Sequence, residues 1–300
     1  MKLVTTLVHK DAMPIAVHSV ASFARNFAGR GYRLEIHTDG SPDGADEAAL
    51  LAQAKGMDAG IVGLADRGER LASRLHDYPM TAALIARRGY FTKLELPMYL
   101  NAPYFYFDSD IVWLRGTDRL VPPDGSNAFS TETWSWYHGL RDDAKWLANN
   151  TPRRVNSGFY HVSRDFPFEK MEAMLREGLF DPEIPYNTDQ EIMAYLYPDM
   201  VHYHIDDFKR SRVGVVYDLG RENCAALHFP GGMWREHLEQ IRSLPNRPPL
   251  PPVPLRFTHT TKLSAWELFR MRKSISLAKL RLLKGPIATF RKLRKAISAR

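Results

Sequence analysis

The chain has 300 residues, 44% of them hydrophobic, and a net charge of +7. That length fits one large α/β domain, alone or with an appendage, and a core of that size needs no covalent staple; the lone cysteine, Cys224, excludes an internal disulfide and suits a reducing compartment. Residues 262–300 hold twelve Lys or Arg against one acid, Glu267, so this segment carries +11 and the rest of the chain −4, which removes the support for a nucleic-acid-binding body.

Residues 3–8 (LVTTLV) are β-prone, and the stretch is too short for a secretory signal. No run reaches the roughly 20 apolar residues of a spanning helix, so a cytoplasmic protein is expected. Ile15, Val17, Val20, Phe23, Ala24 and Phe27 recur at helical spacing over 15–28. Leu34 and Ile36 then alternate with polar neighbours before the turn cluster Thr38-Asp39-Gly40-Ser41-Pro42. Strand, helix, strand and turn open a βαβ unit. Further helices are expected near 45–54, over 68–88 and around 91–100, with a strand over 59–64. Tyr104-Phe105-Tyr106-Phe107 reads as a buried central strand. Beyond it, strands are expected at 127–131, 157–163, 200–205, 213–217 and 225–229. Helices are expected at 166–177, at 188–197 and after Gly232. Residues 245–254 (PNRPPLPPVP) read as an extended, semi-rigid stretch. The expected organisation is an α/β domain over 1–244, a proline-rich linker over 245–261 and a basic amphipathic helical tail over 262–300.

The chemistry concentrates where the aromatic strand ends, at Asp108-Ser109-Asp110. In open α/β sheets, ligands bind beyond the carboxyl ends of the strands. Two carboxylates one residue apart can hold a hard divalent cation, Mn²⁺ or Mg²⁺, and that cation can stabilise a departing diphosphate. Asp-x-Asp alone is commonplace, and a solvated turn produces it too. Here the pair is inserted between two apolar runs, the second being Ile111-Val112-Trp113-Leu114, and acids in that setting are costly to bury without a partner.

The segment FDSDIVWL resembles the metal-binding segment of the GT-A glycosyltransferases, most closely family 8, the retaining galactosyltransferases and glycogenin-like enzymes. Other segments resemble that family in its order. Phe91-Thr-Lys-Leu-Glu-Leu-Pro97 resembles the helix before the motif, which implies that Lys93 touches donor phosphates. Asn156-Ser157-Gly158 resembles the segment beside the donor sugar, with Asn156 on that sugar. Asn187-Thr188-Asp189-Gln190-Glu191 resembles the segment whose Asp189 and Gln190 face the sugar near its anomeric carbon. His228-Phe229-Pro230-Gly231-Gly232 resembles the late segment that supplies His228 as third metal ligand. The resemblance spans roughly residues 3–240. It implies a GT-A, Rossmann-like mixed sheet flanked by helices, a nucleotide-sugar donor, and a saccharide or lipid-linked saccharide acceptor. Two departures stand out. Leu7-Val8-His9-Lys10 lacks the acid that the family often places after the first strand. Met233-Trp234-Arg235 replaces the usual lysine and proline, which leaves Arg235 as the candidate cation.

Plainer readings compete at each position. Asn187 or Thr188 caps a helix, and Asp189 suits its first turn. Asn156 supports a turn with Gly158. A lysine such as Lys93 on a helix surface is commonly solvated. Asp206-Asp207 reads as a loop or cap. Trp134, Trp136, Tyr137 and His138 form an aromatic cluster suited either to an acceptor sugar or to the core. The tail interleaves cations with apolar residues, a pattern that can lie on an anionic membrane surface. A sugar-1-phosphate nucleotidyltransferase is the main competing enzyme, but the glycine-rich loop it needs after strand one is missing, since residues 5–14 contain no glycine. A non-enzymatic adaptor acting through the tail is the third reading.

Overall fold

The computed structural model describes residues 1–87, 89–101, 103–132, 154–181, 188–211 and 217–258. The aromatic cluster 134–138, Asn187, most of the expected strand 213–217 and the tail 262–300 lie outside the described residues. Among the described residues no helix is long and apolar enough to cross a membrane.

The first half is a run of βαβ units. Strands β1 (Lys2–Val8), β2 (Tyr32–Thr38) and β3 (Asp58–Val62) are parallel neighbours, joined by helices α1 (Met13–Phe27) and α2 (Gly44–Gln53). β4 (Tyr104–Phe107) lies parallel on the other side of β1. The sheet then changes direction. β7 (Arg154–Val162) is antiparallel to β4 and to β6 (Ala128–Glu132). β8 (Val201–Tyr203) and β11 (Phe257–Thr258) complete an eight-stranded order of β11-β8-β6-β7-β4-β1-β2-β3.

A second, three-stranded sheet has the order β5-β10-β9, built from β5 (Ile111–Trp113), β9 (Phe208–Arg210) and β10 (Ala226–His228). β5 and β9 go beyond the strands read from the sequence. Each is three residues long, too short for a period to register.

The helix expected over 68–88 is two helices, α3 (Leu64–Leu75) and α4 (Pro79–Ile85). Pro79 forces the break. The residue before a proline is driven out of the helical region, and Tyr78 sits at φ −128°, ψ 67°. The segment around 91–100 begins as a 3₁₀ turn over Gly89–Leu94 and becomes the short helix α5 (Glu95–Tyr99). Helices α6 (Phe168–Arg176) and α7 (Thr188–Leu196) flank the antiparallel half. After β10 the chain makes a 3₁₀ run, Pro230–His237, kinked where Gly231 and Gly232 take φ of 64° and 80°, and then α8 (Leu238–Ser243). Side chains with a Cβ rarely adopt that left-handed region, so the glycine pair is what lets the chain turn there.

The core lies on both faces of the large sheet. Tyr104 and Tyr106 face one apolar cluster, with Phe129 and Tyr160; Phe105 and Phe107 face the other, with Phe23 and Trp113. β4 is therefore buried on both sides, which is why it reads as an unbroken aromatic run. The proline-rich stretch runs along this body. Val253 N donates to Gly116 O, Leu255 is buried, and Arg256 pairs with Asp207 at 2.6 Å. Asp207 thus anchors the strap that ends in β11.

Candidate functional site

β4 leaves the sheet between its two faces and delivers Asp108 to its C-terminal edge. Asp108 N donates to Gly158 O at 2.6 Å, and Ile111 N donates back to Asp108 O at 3.1 Å, closing the turn that holds Ser109 and Asp110. Beyond the turn, β5 pairs antiparallel with β10 in a register that sets His228 opposite Ile111. Phe229 N donates to Asp110 O at 3.1 Å and fixes that register at the site. Backbone pairing, rather than side-chain attraction, therefore brings His228 across 118 residues of chain to the acids.

His228 Nε2 stands 3.2 Å from Asp110 Oδ1 and 3.5 Å from Asp108 Oδ2. These three residues offer ligand atoms that all lie within 4.8 Å of one another. Two ligands about 2.1 Å from a Mg²⁺-sized ion and at right angles to each other are about 3 Å apart, so the observed spacings suit neighbouring ligands of one ion. Asp110 Oδ1 is buried and, even with the imidazole so close, has no hydrogen-bond partner of acceptable geometry among the described residues. An orphaned buried carboxylate oxygen, a second carboxylate and an imidazole nitrogen make a donor set that fits Mn²⁺ or Mg²⁺.

Asp108 is held from behind. Its Oδ1 accepts from Tyr106 Oη at 2.6 Å and from Lys93 Nζ at 2.6 Å, which leaves Oδ2 on the side of His228. Burial raises the Asp108 pKa, and although Lys93 opposes it, the nearby Asp110 charge helps keep it above the ordinary value. Burial pushes the Asp110 pKa up as well, but His228 and Lys93 outweigh it and hold Asp110 below its ordinary value. For Lys93, burial disfavours the ammonium; Asp108, Asp189 and Asp110 outweigh that and raise its pKa. Lys93 is thus a cation among three acids that favour its charge.

Gly158 makes the close approach possible. A Cβ there would lie 2.5 Å from His228 Cε1 and 2.7 Å from its Nδ1. Real Cβ atoms do not come that close, so Gly158→Ala must displace the imidazole. We expect this variant to stay folded, since the clash meets side chains rather than backbone, and to lose about 10- to 100-fold in Mn²⁺ affinity. Metal titration followed by calorimetry measures it; unchanged affinity would refute the packing argument.

Comparison with known proteins comes from structure alone: no protein-family model matches the chain, and no curated protein matches it in sequence. Among solved structures, the galactosyltransferase LgtC, in complex with donor and acceptor sugar analogues, is similar over 81% of this chain and 95% of its own, at 14% identity and a TM-score of 0.55. The bifunctional glycosyltransferase WbbM is similar over 82% of this chain and 50% of its own, at 13% identity and a TM-score of 0.54. This chain has a GT-A fold. Identity this low speaks to the architecture and leaves chemistry to be argued from the residues.

Within that GT-A fold, Asp108, Asp110, His228, Lys93 and Asp189 come together. Asp189, in the first turn of α7, has Oδ2 3.7 Å from Lys93 Nζ. Ser109 is buried in the turn between the acids. Asn156 is engaged locally: its Oδ1 accepts from Gly158 N at 2.8 Å and from Ser130 Oγ at 3.2 Å. Gln190, next to Asp189 on α7, has a buried Oε1 with no partner among the described residues. Arg235 is exposed and stacks over Trp234, its guanidinium carbon 4.9 Å from the ring centre.

Two residues at the site were missed in the sequence. Tyr106 was read only as core, yet strand alternation puts it on the Asp108 side two residues earlier. Ser157 carries no signal of its own within Asn156-Ser157-Gly158, yet its hydroxyl contacts both Lys93 and Asp189.

Proposed function

We propose that the protein is a metal-dependent glycosyltransferase. It moves a sugar from a nucleotide-diphosphate donor, a UDP-sugar by the family 8 resemblance, to a glycan or lipid-linked saccharide, with retention at the anomeric carbon. The observation that carries this reading is the Asp108, Asp110 and His228 cluster at the C-terminal end of β4 in a GT-A fold. Bound there, Mn²⁺ or Mg²⁺ supplies Lewis-acid stabilisation of the leaving diphosphate.

The chain's own residues take the remaining work. Lys93 stays protonated and keeps a positive charge beside the acids, where it favours the developing phosphate charge. Tyr106 and Lys93 bind one oxygen of Asp108 and orient the other. Asp189 and Gln190 would bond donor-sugar hydroxyls, Gln190 through an amide whose oxygen has no partner among the described residues. Asn156 would reach the donor through its amide nitrogen or act by shaping the turn. Arg235 would serve the diphosphate in place of the family's lysine. The tail, by its composition, supports contact with an anionic membrane surface where a lipid-linked acceptor would be met.

Incubation with a panel of nucleotide sugars, with and without EDTA, tests the proposal. We expect release of the nucleoside diphosphate from one donor, its loss in EDTA and its recovery when Mn²⁺ is restored. Release indifferent to chelation would overturn the metal reading. Pyrophosphate formed from a nucleoside triphosphate and a sugar 1-phosphate would instead favour a nucleotidyltransferase.

A further inference from the structure

The metal side and the sugar side of the site are joined by one hydroxyl, and a β-bulge puts it there. β7 pairs with β6 through Ser130↔Asn156 and again through Phe129↔Tyr160, so Ser157, Gly158 and Phe159 face no residue on β6. Phe159 is taken up by Phe107 of β4, and Gly158 O by Asp108 N. Extra residues of this kind bend a strand and re-aim its side chains. Asn156 and Ser157 then point apart. Asn156 turns back to Ser130 and Gly158, while Ser157 turns toward the acids.

Ser157 is 2% exposed. Its Oγ donates to Asp189 Oδ2 at 2.5 Å and accepts from Lys93 Nζ at 3.1 Å. The direction of both bonds is forced. An ammonium only donates and a carboxylate only accepts, so the single hydroxyl proton must lie toward Asp189. Lys93 in turn donates to Asp108 Oδ1, which also accepts from Tyr106. The result is a part-buried hydrogen-bonded chain from Tyr106 through Asp108, Lys93 and Ser157 to Asp189. Charge-assisted bonds are the strong ones, and a connected set of them holds orientation well. Asp189 Oδ2 is tied, and no described residue bonds its Oδ1.

We propose that Ser157 is a positioning residue for sugar transfer: it locks Asp189 against Lys93 so that the acid presents its second oxygen to a donor-sugar hydroxyl, in fixed relation to the metal ligands. This rests on the glycosyltransferase reading. Ser157 touches neither metal nor nucleotide in this scheme; it acts through Asp189. Removing its hydroxyl should therefore impair turnover far more than metal or donor binding.

The test uses the full chain and the donor identified by the nucleotide-sugar panel, with release of nucleoside diphosphate as the readout. Ser157→Ala should lower kcat by about 10- to 100-fold, with donor KM and the Mn²⁺ half-saturation moving less than about threefold. In an Asp189→Ala background, which has no acceptor left for the hydroxyl, the same substitution should cost little further, because its route to the chemistry is gone. Ser157→Thr, which keeps the hydroxyl, should recover much of the loss; thermal melting of each variant shows that the fold is intact. Wild-type kcat in Ser157→Ala, or a loss that adds in full to that of Asp189→Ala, overturns this inference while leaving the transfer reading standing. A wild-type protein that releases diphosphate from no donor sinks both.

Discussion

Asp110→Asn and His228→Ala are each expected to lower kcat/KM for transfer by at least about 10³-fold, on the order of 4 kcal/mol of transition-state stabilisation. The magnitude follows from what each variant removes. Among the described residues the cluster offers three protein ligands, and each substitution weakens or deletes one. A carboxamide oxygen keeps the shape of Asp110 but gives up the charge. Losing His228 removes the ligand that the second sheet brings in. Raising Mn²⁺ should recover part of the Asp110→Asn loss, because a weakened site can be filled by mass action, and should recover less where an imidazole is missing. The melting temperature of Asp110→Asn should move by only a few degrees, since Asp110 is 23% exposed at the edge of the cleft and carries little packing; His228 is buried, so His228→Ala should melt lower. Activity that survives both substitutions and responds to neither EDTA nor Mn²⁺ would show that the three side chains are held together for structural reasons.

Legibility in the sequence followed the range of the interactions involved. β1, α1 and β2 were readable because period and turn chemistry are local. β4 and its acids were readable because a doubly buried strand is an apolar run, and carboxylates interrupting apolar runs are conspicuous. His228 is different. Nothing in its neighbourhood marks it as a ligand; antiparallel pairing of β10 with β5 creates the contact, and only the resemblance of motif order singled it out. Ser157 was hidden for a related reason. In a regular strand, its position relative to Asn156 would place one of the two on the site and leave the choice open. The bulge decides, and a bulge depends on the partner strands rather than on β7 alone. Tyr106 could have been found, because period two places it on the side of Asp108. The split between α3 and α4 could have been read from Pro79.

Arg67→Met is expected to destabilise the fold by about 3–5 kcal/mol, a fall in melting temperature on the order of 10 °C. Arg67 in α3 is fully buried, and its Nε donates to Glu95 Oε2 at 3.2 Å; Glu95 is only 2% exposed. Arg67 Nη1 also donates to Thr38 O at 2.8 Å, at the end of β2. This pair fastens the first residue of α5 to the sheet directly after the 3₁₀ turn that carries Lys93. Removing the guanidinium takes a charge-assisted contact from the buried Glu95 carboxylate, and losing that contact in a dry interior is the main cost. The double variant Arg67→Met, Glu95→Leu should therefore recover part of the loss, with the carbonyls of Thr38 and Val62, both bonded by Arg67 Nη1, setting what remains. Because the turn is released in the single variant, donor KM should rise along with the instability, and both should ease together in the double. A single variant that melts with the wild type, or a double that melts below the single, would show that the pair is not what anchors the Lys93 segment.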